Sequence, residues 1–383
     1  MPELAGPLAP GATIGIVGNG QLGRMSAIAA ARLGYRVHVF GPEAEAPAAQ
    51  VALYATVAAY DDAAALESFA ADVDVVTFEF ENVSAAGLDL LDGLVPVRPA
   101  PSVLRISQDR LAEKRFLEGA RVKVAPWAEV TSEAELAAAV RRIGLPAVLK
   151  TTRLGYDGKG QAGLRTEADL APAFARLSPK PLVLEKFVDF ASEVSVVVAR
   201  GADGQVAAFD TVENRHHDHI LHATFAPARI EPAIAAAAQA AAIRVAEAIG
   251  LVGLLCVEFF VDRDGRVLAN EIAPRPHNSG HWSIEACYAS QFEQHVRAVA
   301  GLPLGPAARH ADAVMINLLG PDDMALWPVL LATPGLVVHH YGKREARPAR
   351  KMGHVTRLFP RDSLPGDAGV ALAIAPLALR GAA

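Results

Sequence analysis

The segment from Asn270 to Trp282 places a carboxylate, an arginine, two histidines and a serine within thirteen positions. Two apolar runs, residues 255–261 and 267–272, lead into this segment, and Asp264-Gly265 separates them. An Asp-Gly pair between two apolar runs is a strong signal for a β-hairpin. The sequence therefore predicts two paired strands that run directly into the polar segment.

The predicted hairpin brings two carboxylates together. A two-residue loop at Asp264-Gly265 makes the numbers of paired residues sum to 529, so Glu258 lies directly opposite Glu271. Like charges in this position destabilise a sheet unless something neutralises them, and Mg²⁺ is usually held by one or two carboxylates and substrate phosphates. The alternative is two solvated glutamates, although Phe259 and Phe260 favour a core sheet. A slip of one residue would separate the carboxylates onto opposite faces.

Length and composition limit the class of protein. The chain has 383 residues, which is too many for one ordinary core, so two or three domains are expected. With 52% hydrophobic and 20% charged residues it has the composition of a globular protein. The net charge of −6 argues against a nucleic-acid-binding protein, which usually carries a basic patch.

No membrane segment, signal peptide or disulfide framework is expected. The alanine-rich residues 232–250 are interrupted by Arg244 and Glu247, so they predict a packed helix and not a membrane span. The N-terminus lacks a basic region and carries Glu3. The only cysteines, Cys256 and Cys287, have no metal-like spacing, which favours a reduced, cytoplasmic setting with both thiols buried.

Glycines mark the turn after the first predicted strand. Residues 13–18 are apolar, a G-x-G-x-x-G pattern covers positions 18–23, and residues 36–40 give a second strand. Such a turn presents backbone N–H groups and a helix N-terminus to an anion. A dinucleotide site with Glu43 on the ribose is the usual suggestion, although many strand–helix turns need glycine only for geometry.

An acidic cluster ends another predicted strand, residues 73–80. It contains Glu79, Glu81 and Asn82. Ligands bind at the carboxyl ends of strands in open α/β sheets. We therefore expect the glycine turn and this cluster to face one crevice.

The middle of the chain carries candidate phosphate ligands. A helix predicted over residues 107–118 bears Arg110 and Lys114, and a short strand ends at Lys150. Residues 155–161 follow, with three glycines in six positions, and the backbone N–H groups of such a loop can wrap phosphates. The loop lacks the Lys-Ser/Thr of a Walker A motif, and alone it predicts a mobile hairpin tip equally well.

Two polar clusters remain. His216, His217 and His219 lie within four residues, but adjacent histidines cannot all face one ion, so a loop that faces a phosphate or nucleotide is favoured over a zinc site. Basic residues are concentrated from Lys343 to Arg357. They form either a solvated rim or a pocket for an anionic substrate, which an acidic protein needs if that substrate is phosphorylated.

Taken in order, these motifs resemble one family. They are Gly18-Asn-Gly-Gln-Leu-Gly-Arg-Met25, Gly155-Tyr-Asp-Gly-Lys-Gly-Gln161, Glu185 to Glu193, Asn270 to Trp282, Tyr341-Gly-Lys343 and Arg350-Lys-Met-Gly-His354. From about Thr13 to Arg357 the chain is similar to N5-carboxyaminoimidazole ribonucleotide synthase, an ATP-grasp family of purine biosynthesis. The run from His277 to Trp282 is the most specific part.

The resemblance implies a fold, a reaction and partners. The fold would be ATP-grasp, mixed α/β and α+β, with a Rossmann-like domain at 1–103, a lid domain at 104–185 and a C-terminal domain at 186–383. The enzyme would use ATP and Mg²⁺, with Mn²⁺ as an alternative metal, to carboxylate 5-aminoimidazole ribonucleotide with bicarbonate through carboxyphosphate. A cytoplasmic homodimer without nucleic-acid or membrane partners would be expected.

The resemblance also implies roles for individual residues. ATP would contact Arg110, Lys150, Gly155, Tyr156, Asp157, Gly158, Lys159, Gly160, Gln161, Glu185, Lys186, Phe187, Val188, Glu193, His216, Asn270 and Glu271. Catalysis would use Tyr156, Asp157, Arg275, His277 and Lys343. The ribonucleotide would contact Gly20, Gln21, Leu22, Glu79, Asn82, Asn278, Ser279, Arg350 and Lys351. The metal would be held by Glu258 and Glu271. Strand alternation directs the Asn270 side chain away from Glu271, so its role stays open.

Three positions depart from the family pattern, and three other functions compete. Leu154 and Ala349 stand where the family commonly has glycine, and Asp210 stands where proline is usual. A formate-using ATP-grasp transformylase would share the metal pair but not need the segment from His277 to Trp282. A Rossmann dehydrogenase or a non-catalytic nucleotide-binding scaffold would leave the predicted metal pair unexplained.

Overall fold

Three β-sheets organise the computed structural model of the chain, which describes residues 2–153, 160–179 and 181–378. The first sheet is parallel, and the other two are antiparallel. This arrangement confirms the predicted mixture of α/β and α+β structure. Within the described residues, no helix is both long enough and apolar enough to cross a membrane.

The N-terminal sheet has the strand order β3-β2-β1-β4. Its elements are β1 (Thr13–Val17), α1 (Gln21–Arg32), β2 (Arg36–Gly41), β3 (Tyr54–Val57), α2 (Ala63–Ala71), β4 (Val75–Phe78) and α3 (Ala85–Asp92). The strand β1 lies between β2 and β4. The chain adds β2 and β3 on one side of β1 and then returns to add β4 on its other side. The ends of β1 and β4 therefore meet at the point where ligands bind in such sheets.

A small antiparallel sheet of order β5-β8-β6-β7 follows two connecting helices. The elements of this region are α4 (Pro101–Ser107), α5 (Arg110–Gly119), β5 (Trp127–Val130), α6 (Glu133–Ile143), β6 (Ala147–Thr151), β7 (Gln161–Leu164), α7 (Leu170–Leu177) and β8 (Leu182–Lys186). Each of the helices α5 and α6 begins at a side-chain cap, Asp109 and Ser132 respectively. Such caps satisfy N–H groups that the first turn leaves unpaired.

The third sheet has nine strands in the order β14-β13-β9-β11-β12-β15-β17-β16, with β10 on β9. Its strands are β9 (Phe190–Arg200), β10 (Val206–Ala208), β11 (Val212–His217), β12 (Ile220–Ala226), β13 (Gly253–Asp262), β14 (Val267–Ala273), β15 (Ala311–Leu319), β16 (Leu336–His340) and β17 (Lys351–Pro360). The helices of this part are α8 (Pro232–Ala248), α9 (Ser283–Ala286), α10 (Gln291–Val299), α11 (Gly320–Ala325), α12 (Trp327–Ala332) and α13 (Asp367–Ala373).

The cores cross the predicted domain boundaries. Leu117 of α5 and Val122 pack with the alanine face of α8 against the third sheet, although both lie in the predicted lid range 104–185. Tyr341 and residues of α10 pack in the core of the N-terminal sheet. The division at 1–103, 104–185 and 186–383 stays a prediction. The contacts of α5, however, attach this helix to the third sheet.

The hairpin of β13 and β14 has the predicted pairing at its functional end but a different loop. Glu258 pairs with Glu271, whereas Val261 pairs with Val267, so the register changes by one residue between them. The loop has three residues and ends at Gly265 (φ 76°), and a bulge at Asn270 restores the register. The alternation that directed Asn270 away from Glu271 does not apply at a bulge.

The histidine-rich cluster is part of a hairpin and not of a loop. His216 and His217 end β11, and Asp218 and His219, both with positive φ, form a two-residue turn into β12. Positive φ at both turn residues gives the twist that suits a tight hairpin. The prediction of a loop here was therefore wrong, because a short turn closes the strands.

Ala349 offers a test of backbone strain in the basic segment. Its φ of 64° lies in the left-handed region, which costs a residue with a Cβ atom about 1–2 kcal/mol. Ala349→Gly should remove this cost, although the greater freedom of glycine in the unfolded chain offsets part of the gain. We therefore expect the free energy of unfolding to rise by about 0.5–1 kcal/mol. Urea unfolding measures this change.

The control is Ala346→Gly at an exposed position in the same segment and outside the left-handed region. This variant should be neutral or less stable than the parent protein. Equal destabilisation by both substitutions would contradict the strain at Ala349.

Candidate active site

The glycine turn after β1 encloses a carboxylate. Glu79 follows β4, and its Oε1 and Oε2 atoms accept hydrogen bonds from the N–H groups of Gly20 (2.8 Å) and Gly23 (3.0 Å). A Cβ atom on Gly18 would lie 2.7 Å from Glu79 Cγ, and Gly18 has a φ of 108°. The glycines therefore make room for Glu79.

This contact changes the expectations for the first crevice. The glycine turn and Glu79 meet as predicted, but the Gly20 N–H, expected to bind a substrate phosphate, already donates to Glu79. The same occupancy argues against a dinucleotide at this turn. Leu22 lies in the N-terminal core, Gln21 is half-buried at the start of α1, and Asn82 is exposed.

Arg275 joins this crevice to the polar segment that follows β14. Its guanidinium lies 2.8 Å from Glu81 Oε1 and donates to the carbonyl of Pro276 (2.9 Å). Burial raises the pKa of Glu79, whereas the bound N–H groups and the nearby Arg275 act in the opposite direction. Arg275 thus lies between the acidic cluster of the first sheet and the hairpin of the third sheet.

The basic segment contains half-buried and exposed cations. Lys343, Arg350 and Lys351 are half-buried, while Arg344 and Arg347 are exposed. Lys343 Nζ donates to the carbonyl of Lys351 (2.6 Å). Burial, together with Arg350 and Lys351, lowers the pKa of Lys343 to about 8. Lys343 therefore lies close to two further cations and to the Glu79 carboxylate, and such a group of cations suits an anionic ligand.

The two opposed glutamates each have a cationic or hydrogen-bonding partner. Glu258 Oε1 lies 3.0 Å from His277 Nε2, and Glu271 Oε2 accepts a hydrogen bond from Arg110 (3.3 Å). Although burial opposes ionisation, His277 and the nearby His216 and Lys351 lower the pKa of Glu258. The negative charge of Glu258 is therefore compensated at the point where it faces Glu271.

A buried hydrogen-bond chain orients the ring of His277. Ser279 contacts His277 Nδ1 through its N–H (3.3 Å) and its Oγ atom (2.8 Å), so that Nε2 points to Glu258. Ser195 Oγ donates to Ser279 Oγ (2.7 Å), and Asn214 donates to Ser195 (2.8 Å). Ser279 is fully buried. It supports His277, although it was expected to contact the ribonucleotide.

The turn from His277 to Gly280 is fixed by two amide side chains. Gln291 accepts from the N–H of His277 (2.9 Å) and donates to its carbonyl (2.7 Å). Asn278 and Asn317 exchange hydrogen bonds through their side-chain amides (3.0 and 2.6 Å). The Asn278 amide is thus engaged within the protein and holds the turn in place.

The nucleotide side of the site contains a buried ion-pair group. Glu185 lies 3.3 Å from Lys114 Nζ and 3.2 Å from Lys150 Nζ, and Glu185 and Lys114 are almost completely buried. Burial opposes charge on Glu185, but the two lysines and Arg110 lower its pKa. The carboxylate of Glu185, expected to contact ATP, therefore orients Lys150.

The other residues expected to contact ATP lie at two places, beside the end of β11 and along an open cavity. His216 Nδ1 lies 2.7 Å from Glu193 Oε2, which joins two of the residues expected to contact ATP. Lys186 donates to the carbonyl of Leu145 (3.0 Å), and Phe187 is exposed. Val188 lines, with Lys186 and Phe187, an open cavity of about 880 Å³ beside the loop of the β13–β14 hairpin.

Part of the predicted lid loop lies outside the described residues. The loop residues concerned are Gly155, Tyr156, Asp157, Gly158 and Lys159, and Leu154, which precedes the loop, also lies outside the described residues. Their expected roles stay predictions. Gly160 and Gln161 are described, and Gln161 begins β7 opposite Lys150.

The described donors fit a hard divalent cation. Glu258 and Glu271 face each other, and the Oδ1 atom of Asn270 is buried and accepts no hydrogen bond from the described residues. No cluster of three or more His, Cys, Asp or Glu residues suited to a metal occurs in the part of the chain described. Two carboxylates completed by substrate phosphates match the way proteins hold Mg²⁺.

Sequence reasoning missed several residues that support the site. Glu113 is buried and accepts the N–H of Ile272 (2.6 Å), and burial raises its pKa to about 8. Arg110, Glu113 and Lys114 have the spacing i, i+3, i+4, which places them on one helical face and was available as a signal. Gln291 left no comparable signal, because only the folded chain brings it to the turn.

Family comparisons agree with this geometry. Residues 11–108 match the model of the ribonucleotide synthetase preATP-grasp domain. Residues 115–292 match the ATP-grasp domain. Residues 313–363 match the phosphoribosylaminoimidazole carboxylase C-terminal domain.

Whole-chain comparisons give the same result. N5-carboxyaminoimidazole ribonucleotide synthase of Brucella melitensis is 52% identical over 92% of this chain and 98% of its own length. The Staphylococcus aureus synthetase complexed with ADP is 40% identical, with a TM-score of 0.91 over 96% of this chain and 98% of that chain. The Aspergillus clavatus synthase in complex with ADP and 5-aminoimidazole ribonucleotide is 32% identical, with a TM-score of 0.86 over 92% and 94%. The chain belongs to the N5-carboxyaminoimidazole ribonucleotide synthase family of ATP-grasp ligases.

Proposed function

We propose that this enzyme carboxylates 5-aminoimidazole ribonucleotide with bicarbonate at the expense of ATP, giving N5-carboxyaminoimidazole ribonucleotide, ADP and phosphate. The observation that carries the proposal is the position of Arg275 and His277. Both belong to one segment, and Arg275 contacts Glu81 of the acidic crevice while His277 contacts Glu258 of the opposed pair. A reaction that joins a phosphorylated intermediate to a ribonucleotide needs such a connection between two binding regions.

The nucleotide end would bind ATP and the metal. Lys150 and Arg110 provide positive charge for phosphates, and Glu185 holds Lys150 in place. Glu258 and Glu271 would hold Mg²⁺, with Mn²⁺ as an alternative, and the bound metal would neutralise charge on the phosphates. Phosphoryl transfer depends mainly on such positioning and charge neutralisation.

Bicarbonate would be phosphorylated between the two ends. Arg275, His277 and Lys343 are the proposed groups that hold bicarbonate or carboxyphosphate. The hydrogen-bond chain through Ser279 orients His277 Nε2 towards Glu258. Carboxyphosphate reacts readily with water, so a lid that closes over it would protect it. Tyr156 and Asp157 are proposed to approach the aminoimidazole from that lid, with Asp157 as the proton acceptor.

The ribonucleotide would bind in the first crevice. Its phosphate would lie near Arg350 and Lys351, and Glu79 would face its ribose. The half-buried cations Lys343, Arg350 and Lys351 support this placement, because the protein as a whole is acidic. A homodimer in the cytoplasm is proposed from the family resemblance and the cysteine content. Light scattering after size-exclusion chromatography tests the dimer.

Release of ADP tests the reaction. With ATP, Mg²⁺ and bicarbonate present, we expect ADP release to depend strongly on 5-aminoimidazole ribonucleotide, because the intermediate needs its acceptor. Coupled detection of ADP, with and without the ribonucleotide, makes the measurement. Release that ignores the ribonucleotide, or that requires formate, would retain the ATP-grasp fold and remove the proposed substrate.

Glu271→Gln tests the metal assignment. The amide keeps the shape of the side chain but removes the negative charge that faces Glu258. We expect Mg²⁺-dependent turnover to be lost while the circular dichroism spectrum and the unfolding midpoint stay near those of the parent enzyme. Full activity of this variant would show that the metal is held elsewhere.

The lowered pKa of Lys343 predicts that the activity of the enzyme depends on pH. Its pKa of about 8 means that the ammonium is charged below pH 8 and becomes neutral above it. We expect kcat/KM for bicarbonate to fall as the pH rises through about 8, and Lys343→Arg to move this fall to higher pH, because arginine stays protonated. An unchanged profile in Lys343→Arg would exclude Lys343. Arg344→Met, at the exposed neighbouring position, is the control.

A further inference from the structure

We infer that Glu113 and Lys114 are positioning residues that fix the metal-binding strand around Glu271, and that Lys114 links this strand to Lys150. The inference rests on the proposed function, in which Glu271 holds the metal. Neither residue faces the substrate, since both are almost completely buried. Their effect would therefore be transmitted through Glu271 and Lys150.

The two side chains hold the backbone on both sides of Glu271. Glu113 Oε1 accepts the N–H of Ile272 (2.6 Å), the residue after Glu271. Lys114 Nζ donates to the carbonyl of Asn270 (2.8 Å), the residue before it. These contacts fix the position of Glu271 from its peptide bonds, without touching its carboxylate.

The strand needs such support at this point. β14 is the edge strand of its sheet, and the bulge at Asn270 interrupts its pairing with β13. Unpaired groups on an edge strand next to a bulge weaken the register of the strand. Lys123 accepts the N–H of Ala269 (2.7 Å), and Glu113 and Lys114 continue this edge pairing past the bulge. Hence the register that opposes Glu271 to Glu258 is held from outside the sheet.

One face of α5 carries the whole arrangement. Arg110, Glu113 and Lys114 have the spacing i, i+3, i+4, and Arg110 contacts the Glu271 carboxylate itself (3.3 Å). Arg115, the next residue, points elsewhere and pairs with Glu129 at the surface. The support is therefore specific to one side of the helix.

Lys114 also joins the metal strand to the phosphate side. It lies 3.3 Å from Glu185, whose other oxygen lies 3.2 Å from Lys150. Removing one member of a buried ion-pair group leaves its partner without compensation. Loss of Lys114 should therefore disturb Lys150 as well as Glu271, whereas loss of Glu113 should disturb Glu271 alone.

Binding of ADP with and without Mn²⁺ tests the inference by calorimetry. For Glu113→Leu, we expect the factor by which Mn²⁺ strengthens ADP binding to fall about tenfold, as is typical when a contact that supports a metal ligand is lost. Metal-free ADP binding should not change. Glu113→Gln keeps an oxygen that accepts from Ile272 and should behave like the parent enzyme.

Lys114→Met should lower both the Mn²⁺ effect and the metal-free affinity for ADP, and Arg115→Met should change neither. Hydrogen exchange of the peptide 267–273 in the ligand-free protein gives a second measurement. We expect faster exchange in Glu113→Leu and Lys114→Met, and parental exchange in Glu113→Gln and Arg115→Met.

The outcomes separate the inference from its premise. Equal Mn²⁺ effects in Glu113→Leu and Glu113→Gln would overturn the inference, as would an equal loss of metal-free and metal-dependent binding in Glu113→Leu. Glu271→Gln that keeps the parental Mn²⁺ effect would instead show that the metal assignment in the proposed function is wrong, and the inference would fall with it. Because Glu113→Gln conserves the contact, the comparison stands even if Lys114→Met does not fold.

Discussion

Two carboxylates face each other across a hairpin, and the surrounding structure compensates for their repulsion. Glu258 is held by His277, and Glu271 is held by Arg110. Like charges directly opposite in a ladder destabilise it, so this pairing persists only where partners or a metal neutralise it. The position of the polar segment after β14, and with it Arg275 and His277, follows from the same register. A change of one residue would separate the two carboxylates that are proposed to hold the metal, and would also remove the connection to the first crevice.

The register itself shows how far sequence reasoning reaches. The Asp-Gly signal predicted the pairing of Glu258 with Glu271, and this was confirmed, but the assumed two-residue loop was wrong. The loop contains three residues and ends in a left-handed glycine, and the bulge at Asn270 compensates for the extra residue. Two local deviations therefore cancel at the functional end. Hydrophobic patterning and turn residues predict where strands lie, whereas a bulge depends on contacts outside the hairpin, here with α5.

Most residues of the candidate site could be named from the sequence, but the contacts that they make with one another could not. The glycines at 18, 20 and 23 were correctly expected to face Glu79, because strand ends meet at one edge of a parallel sheet. That Glu79 itself fills the turn could not be predicted, since a bound anion would demand the same glycines. Ser279 looked like a substrate ligand, yet its burial makes it a support for His277. Gln291 had no local signal, because the side-chain partners in the turn, His277 and His281, lie fourteen and ten residues away and only the fold brings them together.

Charged groups alternate in sign along the site. Acidic groups lie at both ends, Glu79 and Glu81 in the first crevice and Glu258 and Glu271 on the hairpin, and cationic or hydrogen-bonding groups lie between them. Within the protein these groups satisfy one another, as buried charges must. A metal engages carboxylates and an anion engages cations, so the internal pairs and the proposed ligands use the same side chains. The internal contacts therefore hold each side chain close to the place where a ligand of opposite charge would replace its partner, which limits the reorganisation that binding requires.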